Sequence, residues 1–367
     1  MSLEKRNRKK KILVMCPHPV GYAPGQRLKY EQYFQAFEEH GYEITVSPFM
    51  SEAFQNIVYK KGNFIKKIIY TLEGYLRRVG DLLRIRNYDI VYVFLWVAPF
   101  APPVFEKLTK KLAKKLVYDI DDLVFLIPPS SANPLVHYLR SPRNHISLMK
   151  SADHVITCTP YLDQFVKKYN NNTTDISSTI NTDLYKPKLD YSIKDKFTIG
   201  WSGSHSTSKY LHLLDDVFVE LAKTYDFKLL VMGDVDFTLS GVDVEALPWK
   251  EEYEIDVISR FDVGVYPLPN EEWVLGKSGL KALQYMALGI PTIATGIGTI
   301  HRIIADKENG YLVNSNGEWK QRIIELLNNQ ALRKEIGVKA AQTVEIAYSI
   351  NANKCTYIKI LNQLSSN

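Results

Sequence analysis

WVLGKSGLKALQYMALGIPTIAT, residues 273–295, is the stretch whose reading decides the fold. Gly276-Lys277-Ser278-Gly279 forms a turn, and the spacing after it predicts a helix over 278–288. The start of a helix presents unpaired N–H groups and a partial positive charge, so an anion binds there readily. Lys277 adds a full charge at the same place. Lys281 and Gln284, three apart, share one helix face. Leu280, Leu283 and Ala287 take the adjoining face and pack inward. Gly289 ends the helix, Pro291 prevents it restarting, and Thr292–Thr295 reads as the next strand. A plain reading competes: a glycine-bounded helix of an α/β fold with no ligand at its start.

Working outward, the segment belongs to an alternation of strands and helices. Phe197–Trp201 reads as a strand, followed by a Gly/Ser loop, a helix over 209–225, the strand Lys228–Met232 and then Gly233-Asp234. Val263–Tyr266 is a further strand, and helices close the chain at 319–326, 332–347 and 351–364. The first half repeats the pattern. Strands are expected at 11–16, 43–47, 90–96, 116–120 and 154–159, with helices at 26–40, 105–115 and 161–169. Such alternation implies parallel sheets covered by helices. The charged stretch 184–196, with Pro187, reads as a linker. The expectation is therefore two Rossmann-like, doubly wound α/β domains facing a cleft. Their bounds are 1–185 and 197–348, with a linker at 186–196 and a final helix, 349–367, packing back toward the first domain.

Composition agrees with two soluble domains. The chain has 367 residues, 46% of them hydrophobic and 23% charged, which exceeds one ordinary core. Cys16, Cys158 and Cys355 lie too far apart for a zinc site or a disulfide framework, as in a reducing cytoplasm. The longest apolar stretch, 90–105, is shorter than a membrane span and broken by Pro99, Pro102 and Pro103. Charge is uneven. Residues 1–120 hold 21 Lys+Arg against 11 Asp+Glu, a net +10, so the first third is expected to meet something anionic.

The segment Gln284-Tyr-Met-Ala-Leu-Gly-Ile-Pro291 resembles the donor-binding region of the family 4 (group 1) retaining glycosyltransferases. There an E-x7-E motif is followed by a small-residue helix, Gly-x-Pro and a strand. The two motif glutamates fall here on Gly276 and Gln284, and the segment is similar to a subgroup reading GKxGLKxLQYMAxG. Ile199-Gly-Trp-Ser-Gly-Ser204, Lys209, Gly233-Asp234 and Gly296-Ile-Gly298 resemble other parts of the donor domain, in family order over 197–348. The resemblance implies a GT-B fold and transfer of a sugar, with retention, from a UDP- or GDP-sugar to a saccharide or lipid-linked acceptor. It implies no permanently bound cofactor and no obligatory metal. Gln284 would hold the ribose. Lys277 with the backbone of Ser278 and Gly279 would hold the diphosphate, and Lys209 would join them or remain an exposed helix-start lysine. Gly203, Gly233, Lys281 and Gly298 would line the donor site. Trp249 would stack near the base or pack at the rim. The family's habits suggest assembly of cell-surface polysaccharide or glycolipid. Two other readings stand beside transfer: an epimerase of the same shape, and a non-catalytic nucleotide-sugar-binding subunit.

In the first half, the loop after the first strand holds Gly21, Gly25 and Arg27. Glycines there let backbone amides approach a phosphate or sugar, while Arg27 is either a ligand or a solvated helix-start residue. Tyr118-Asp-Ile-Asp-Asp122 follows a strand. Relative to the family, Asp121 and Asp122 lie where an acceptor-side group sits. The alternative is a carboxylate capping the next loop, and if the strand persists Asp119 and Asp121 share a face. A DxD metal motif belongs to the other glycosyltransferase fold. His18 and His205 read as structural or solvated. Finally, residues 64–85 place Ile65, Ile68, Ile69, Leu72, Leu76, Val79 and Leu83 at helical spacing, with Lys66, Lys67, Arg77, Arg78 and Arg84 elsewhere. Such a helix lies on an anionic membrane surface or packs its apolar face into its own domain with a solvated basic side. Nucleic acid lacks a matching motif.

Overall fold

A computed structural model describes residues 8–60, 62–100, 102–123 and 142–366. The basic start up to Asn7, Lys61 and Ala101 of the stretches read above lie outside them. The chain divides into two compact units, one made of Met1–Ser178 with the chain from Asn353 onward, the other of Thr179–Ala352.

The first unit carries a six-stranded parallel sheet in the order β2-β1-β3-β4-β5-β6. Its strands are β1 (Lys10–Cys16), β2 (Tyr42–Pro48), β3 (Ile90–Phe94), β4 (Leu116–Asp119), β5 (His154–Thr157) and β6 (Thr173–Asp175). β1 and β3 are buried on both faces, which their unbroken Val/Ile/Leu/Tyr runs require. Helix α1 (Pro24–Arg27), a 3-10 turn at Glu31–Tyr33 and α2 (Phe34–Glu39) replace the single helix expected over 26–40. The reason is packing. Lys29 and Tyr30 are neighbours and both are fully buried, Lys29 against Asp119 and Tyr30 against the rings of Tyr92 and Phe94. A continuous amphipathic helix cannot serve both directions.

Further along come α3 (Glu52–Val58), α4 (Phe64–Arg84), α5 (Val104–Leu112), α6 (Pro142–Ser151) and α7 (Pro160–Lys167). The sequence reading above missed α3 and α6. The orientation of α4 is a correction. Its buried positions are Gly74, Arg78 and Asp81, and its apolar stripe faces outward, the opposite of a helix packed on its own core. Arg78 is completely buried. It donates to the carbonyls of Cys16, Ser47 and Val97 and pairs with Asp81 at 2.9 Å, so it ties the ends of β1 and β2 to the chain beyond β3. From Asn353 onward the last helix packs in this unit. Tyr357 lies 4.5 Å from the Tyr33 ring, and Tyr42 donates to Asn362 at 2.8 Å.

The second unit has its own six-stranded parallel sheet, ordered β12-β11-β10-β7-β8-β9. The strands are β7 (Phe197–Ser202), β8 (Phe227–Met232), β9 (Val244–Leu247), β10 (Val263–Tyr266), β11 (Thr292–Thr295) and β12 (Tyr311–Val313). Chain order runs outward from β7 to β9, then returns to β10 on the other side of β7. That reversal makes a topological switch point between β7 and β10, outside whose carboxyl ends ligands bind in such sheets. The helix expected over 209–225 is broken in the same way as that of the first unit, into α8 (His205–Ser208), a 3-10 turn and α9 (Asp215–Ala222). Beyond them are α10 (Glu254–Ser259), α11 (Leu280–Ala287), α12 (Ile300–Ile303), α13 (Asn316–Asn328) and α14 (Gln330–Thr343). Tyr185 and Tyr191 of the 184–196 stretch are buried in this unit.

Candidate functional site

The quoted segment places α11 against the switch point. The helix begins at Leu280, two residues later than expected, because Gly279 sits at φ +76 as its N-cap. Only glycine takes that conformation cheaply. A Cβ on Gly279 would also strike Ile303, so α12 seals one side of the turn. Among the described residues no side chain caps Gly279 at the start of α11, while Lys277, Ser278, Leu280 and Lys281 remain partly exposed around it. Tyr285 anchors the helix to the sheet. Its hydroxyl accepts from the Ser202 N–H at 2.8 Å, and its ring fills the space that Gly264 leaves open.

Lys281 is the centre of the arrangement. Its ammonium lies 4.1 Å from the Trp201 ring at the end of β7 and 5.7 Å from the Tyr266 ring at the end of β10. It therefore spans the switch point. Its one hydrogen-bond contact is Thr207 Oγ1 at 3.4 Å, and among the described residues it meets no carboxylate. Burial, followed by the nearby charge of Lys277, brings its pKa down to about 7. A cation held this way is short of negative charge, and an anion arriving there restores its proton.

The other second-unit candidates gather around it. A Cβ on Gly203 would come within 2.5 Å of Lys281 Nζ. Gly233, at φ +107, presses on the Gly203 carbonyl, which a side chain would overlap. Gly298, at φ +57, lies against Leu275 at the start of the lysine turn. Lys277 rests over the Trp273 ring at 5.4 Å, Trp273 meets Tyr210 at 5.4 Å, and Lys209, exposed, rests over Tyr210 at 5.0 Å. Gln284 and Trp249 are joined through a buried chain. Gln284 donates to the Tyr185 hydroxyl at 2.9 Å, Tyr185 donates to Glu254 at 3.1 Å, and the Trp249 indole donates to the other Glu254 oxygen at 2.9 Å. Ser208 and His205 both bond Asp234 beyond β8, and that bond raises the His205 pKa.

Residues 196–329 match the family described as glycosyl transferases group 1. The second unit carries a group 1 domain. A curated relative, an uncharacterized glycosyltransferase of Methanocaldococcus jannaschii, is 29% identical over 134 residues, covering 33% of this chain and 37% of that protein. The chain thus spans about a third of that relative's length. Among solved structures, sucrose-phosphate synthase from Thermosynechococcus elongatus is similar at TM-score 0.69 and 16% identity, over 97% of this chain and 99% of that one. HepE of Anabaena, solved in complex with UDP and glucose, is similar at TM-score 0.65 and 17% identity, over 96% of this chain and 100% of that one. The fold is that of the GT-B glycosyltransferases, and the group 1 domain is the half that holds the lysine turn.

In the first unit the candidates meet at the carboxyl ends of β1 and β4. The loop after β1 is held by Gln26, which is fully buried. Its side chain accepts from the His18 N–H and donates to the His18 carbonyl, both at 3.0 Å, and also donates to Glu31 at 2.9 Å. Gly21 sits at φ +84, but its N–H is donated to Glu31 at 2.9 Å, so a protein carboxylate engages it. Gly25 faces Asp121, whose Oδ2 lies 2.5 Å from where a Cβ would stand. Arg27, half-buried, ends α1. His18, half-buried, places Nδ1 2.9 Å from the Gln55 side-chain oxygen, and desolvation lowers its pKa. The strand stops at Asp119, so Asp119 and Asp121 do not share a strand face. Asp119 is spent on structure: it pairs with Lys29 at 2.9 Å and accepts from Tyr92. Asp121 and Asp122 stay half-exposed in the turn, Asp122 accepting from the Leu123 N–H. Among the described residues no group of three His, Cys, Asp or Glu is placed to hold a metal ion.

The reading of the residues overlooked Trp201, Tyr266 and Tyr185. Trp201 stands inside Ile199–Ser204, a stretch from which the sequence points only to Gly203 as lining the donor site. A Trp in the last turn of a strand beside two glycines is the signal that would have found it.

Proposed function

We propose that the chain is a retaining glycosyltransferase taking a UDP- or GDP-sugar as donor and a saccharide or lipid-linked acceptor, in the building of cell-surface polysaccharide or glycolipid on the cytoplasmic side of the membrane. One observation carries this reading. Two lysines, one of which meets no carboxylate among the described residues, lie at a helix start with a glycine N-cap at the sheet's switch point, where a diphosphate would complete the charge.

The residues divide the work as follows. As the bond from sugar to diphosphate lengthens, negative charge grows on the leaving oxygen. Lys277, Lys281 and the amides of Ser278 and Gly279 stabilise it. Losing one such preorganised donor costs about 3 kcal/mol of barrier, on the order of 100-fold in rate. Gly203, Gly233 and Gly298 give the phosphates backbone clearance. Gln284 and Trp249 face the ribose and base, braced by Tyr185 and Glu254, and Lys209 adds charge at the mouth. The first unit supplies the acceptor side, with Asp121 and Asp122 at the acceptor hydroxyl and Gly25 and Arg27 beside them. No bound metal is required, since the lysines supply the positive charge.

The test is product analysis with purified protein and a panel of UDP- and GDP-sugars, with and without saccharide acceptors. Release of nucleoside diphosphate with a new glycoside, or with free sugar when no acceptor is present, supports transfer. Conversion of the donor to an isomer without release of nucleotide would make the protein an epimerase. Tight donor binding with no turnover on any acceptor would make it a non-catalytic subunit.

A further inference from the structure

Helix α4 is built inside out for a soluble domain. At 1.5 Å per residue its 21 residues run about 30 Å. Ile65, Ile68, Leu72, Leu76, Val79 and Leu83 follow one another at spacings of three and four, and all are exposed, with Ile65 at 76%, Leu76 at 71% and Leu83 at 84%. The side turned to the protein holds instead a glycine and a buried ion pair, with Gly74 packed so closely on Phe49 that a methyl group would collide with the ring. The outward stripe is thus not a misplaced core face: the inner face is complete without it. Isolated exposed leucines are ordinary, but a continuous apolar stripe of this length marks an interaction surface.

Charge selects the partner. The stripe is rimmed by Lys66 and Arg84. Helix α5 packs alongside through Phe105 on Tyr75, 5.4 Å between rings, and exposes Val104 and Leu108 together with Lys107 and Lys111. Among the described residues Lys66, Lys107 and Lys111 form no ion pair. Glu73 is the acidic exception on the outer face. A two-fold contact between copies would set these cations against one another. A bilayer with anionic headgroups satisfies both halves of the surface: the acyl boundary takes the apolar side chains, and the headgroup phosphates take the lysines. Among the described residues no helix is long and apolar enough to cross a membrane, so α4 lies along the surface.

We propose that α4, flanked by α5, docks this protein on an anionic phospholipid bilayer. The inference does not depend on sugar transfer, and its test uses no donor or acceptor. The full chain is sedimented with vesicles of phosphatidylcholine alone and of phosphatidylcholine with phosphatidylglycerol. Binding to the anionic vesicles, weakened by salt, is expected. The triple variant Ile68→Ser, Leu72→Ser, Leu76→Ser should lower it at least about 10-fold, with circular dichroism and melting temperature unchanged because these side chains are exposed. Replacing Lys66 or Lys107 by Gln should lower it about 5-fold each. Failure of the wild type to bind anionic vesicles overturns the proposal, as does undiminished binding by the folded triple variant. A solution dimer that the triple variant converts to monomer, with no vesicle binding, would assign the face to a second copy instead.

Discussion

The Lys281 ammonium sits 4.1 Å from the centre of the Trp201 ring and 5.7 Å from that of Tyr266. Aromatic faces attract a cation but do not neutralise it, and the nearest full charge acting on it is another lysine. The folded protein therefore holds Lys281 at a pKa of about 7, far below its unfolded value. The sign of the consequence is fixed. Between about pH 7 and the unfolded pKa the unfolded chain binds a proton that the folded one does not, so stability rises with pH across that window and is lost as pH falls toward 7. Lys281→Met removes this dependence. Melting curves from pH 6 to 9 should show the wild type gaining on the variant as pH rises; parallel curves would mean that Lys281 titrates normally.

The same lysine links donor binding to proton uptake. At pH 8 it is mostly neutral in the free protein, and a diphosphate beside it favours the charged form. Calorimetry of UDP binding in two buffers of different ionisation enthalpy should show net uptake approaching one proton at pH 8 and little at pH 6. In Lys281→Met the uptake should vanish and UDP affinity fall about 10-fold or more. Identical heats in both buffers would separate Lys281 from the phosphate.

Gly233 combines a φ of +107 with direct pressure on the Gly203 carbonyl. Gly233→Ala must find a strained backbone and also push the β7 loop away, so a loss of about 1–3 kcal/mol is expected from the conformation alone. Denaturant unfolding measures it. Gly203→Ala should behave differently. Its methyl group meets the buried Trp201 ring at 2.4 Å as well as Lys281 Nζ at 2.5 Å, so the β7 end must repack and both stability and UDP affinity should fall, without the added backbone strain of Gly233→Ala.

What could be read from the chain, and what could not, follows from range. The strand-helix alternation and the glycine-bounded α11 depend on neighbours within a dozen residues, and both were legible. Lys277, Ser278, Gly279 and Lys281 were nameable for the same reason. The pairing of Lys29 with Asp119 joins residues 90 apart, and it decides both the broken helix over 26–40 and the structural role of Asp119. The stripe of α4 was visible as a periodicity, but periodicity does not say which side is packed. Gly74, Arg78 and Asp81, at spacings of four and three, were the countersign, because only a close approach explains the glycine.

That Lys29–Asp119 pair gives a structural control distinct from the site. Burial opposes the charge on Lys29, and Asp119, with smaller help from Cys158 and Asp121, more than compensates and raises its pKa. Asp119→Asn leaves a fully buried cation without its counter-charge, which costs about 3–5 kcal/mol. The melting temperature should fall sharply, while UDP affinity of the protein that remains folded stays unchanged, since the pair lies in the other unit.

Gly25 and Asp121 offer the sharpest test of the acceptor side. The Asp121 carboxylate occupies the space a Gly25 side chain would need, 2.5 Å from the Cβ position. Gly25→Ala therefore displaces Asp121 within the first unit, whereas the lysine turn belongs to the second. If Asp121 addresses the acceptor hydroxyl, the variant should lose about 100-fold in transfer rate while keeping wild-type thermal stabilisation by UDP. Asp121→Asn should match it in rate, and the double variant should be little worse than either single one, because both act through one carboxylate. Equal transfer rates for wild type and Asp121→Asn would move the acceptor site away from the end of β4 and leave Gly25 as a packing glycine.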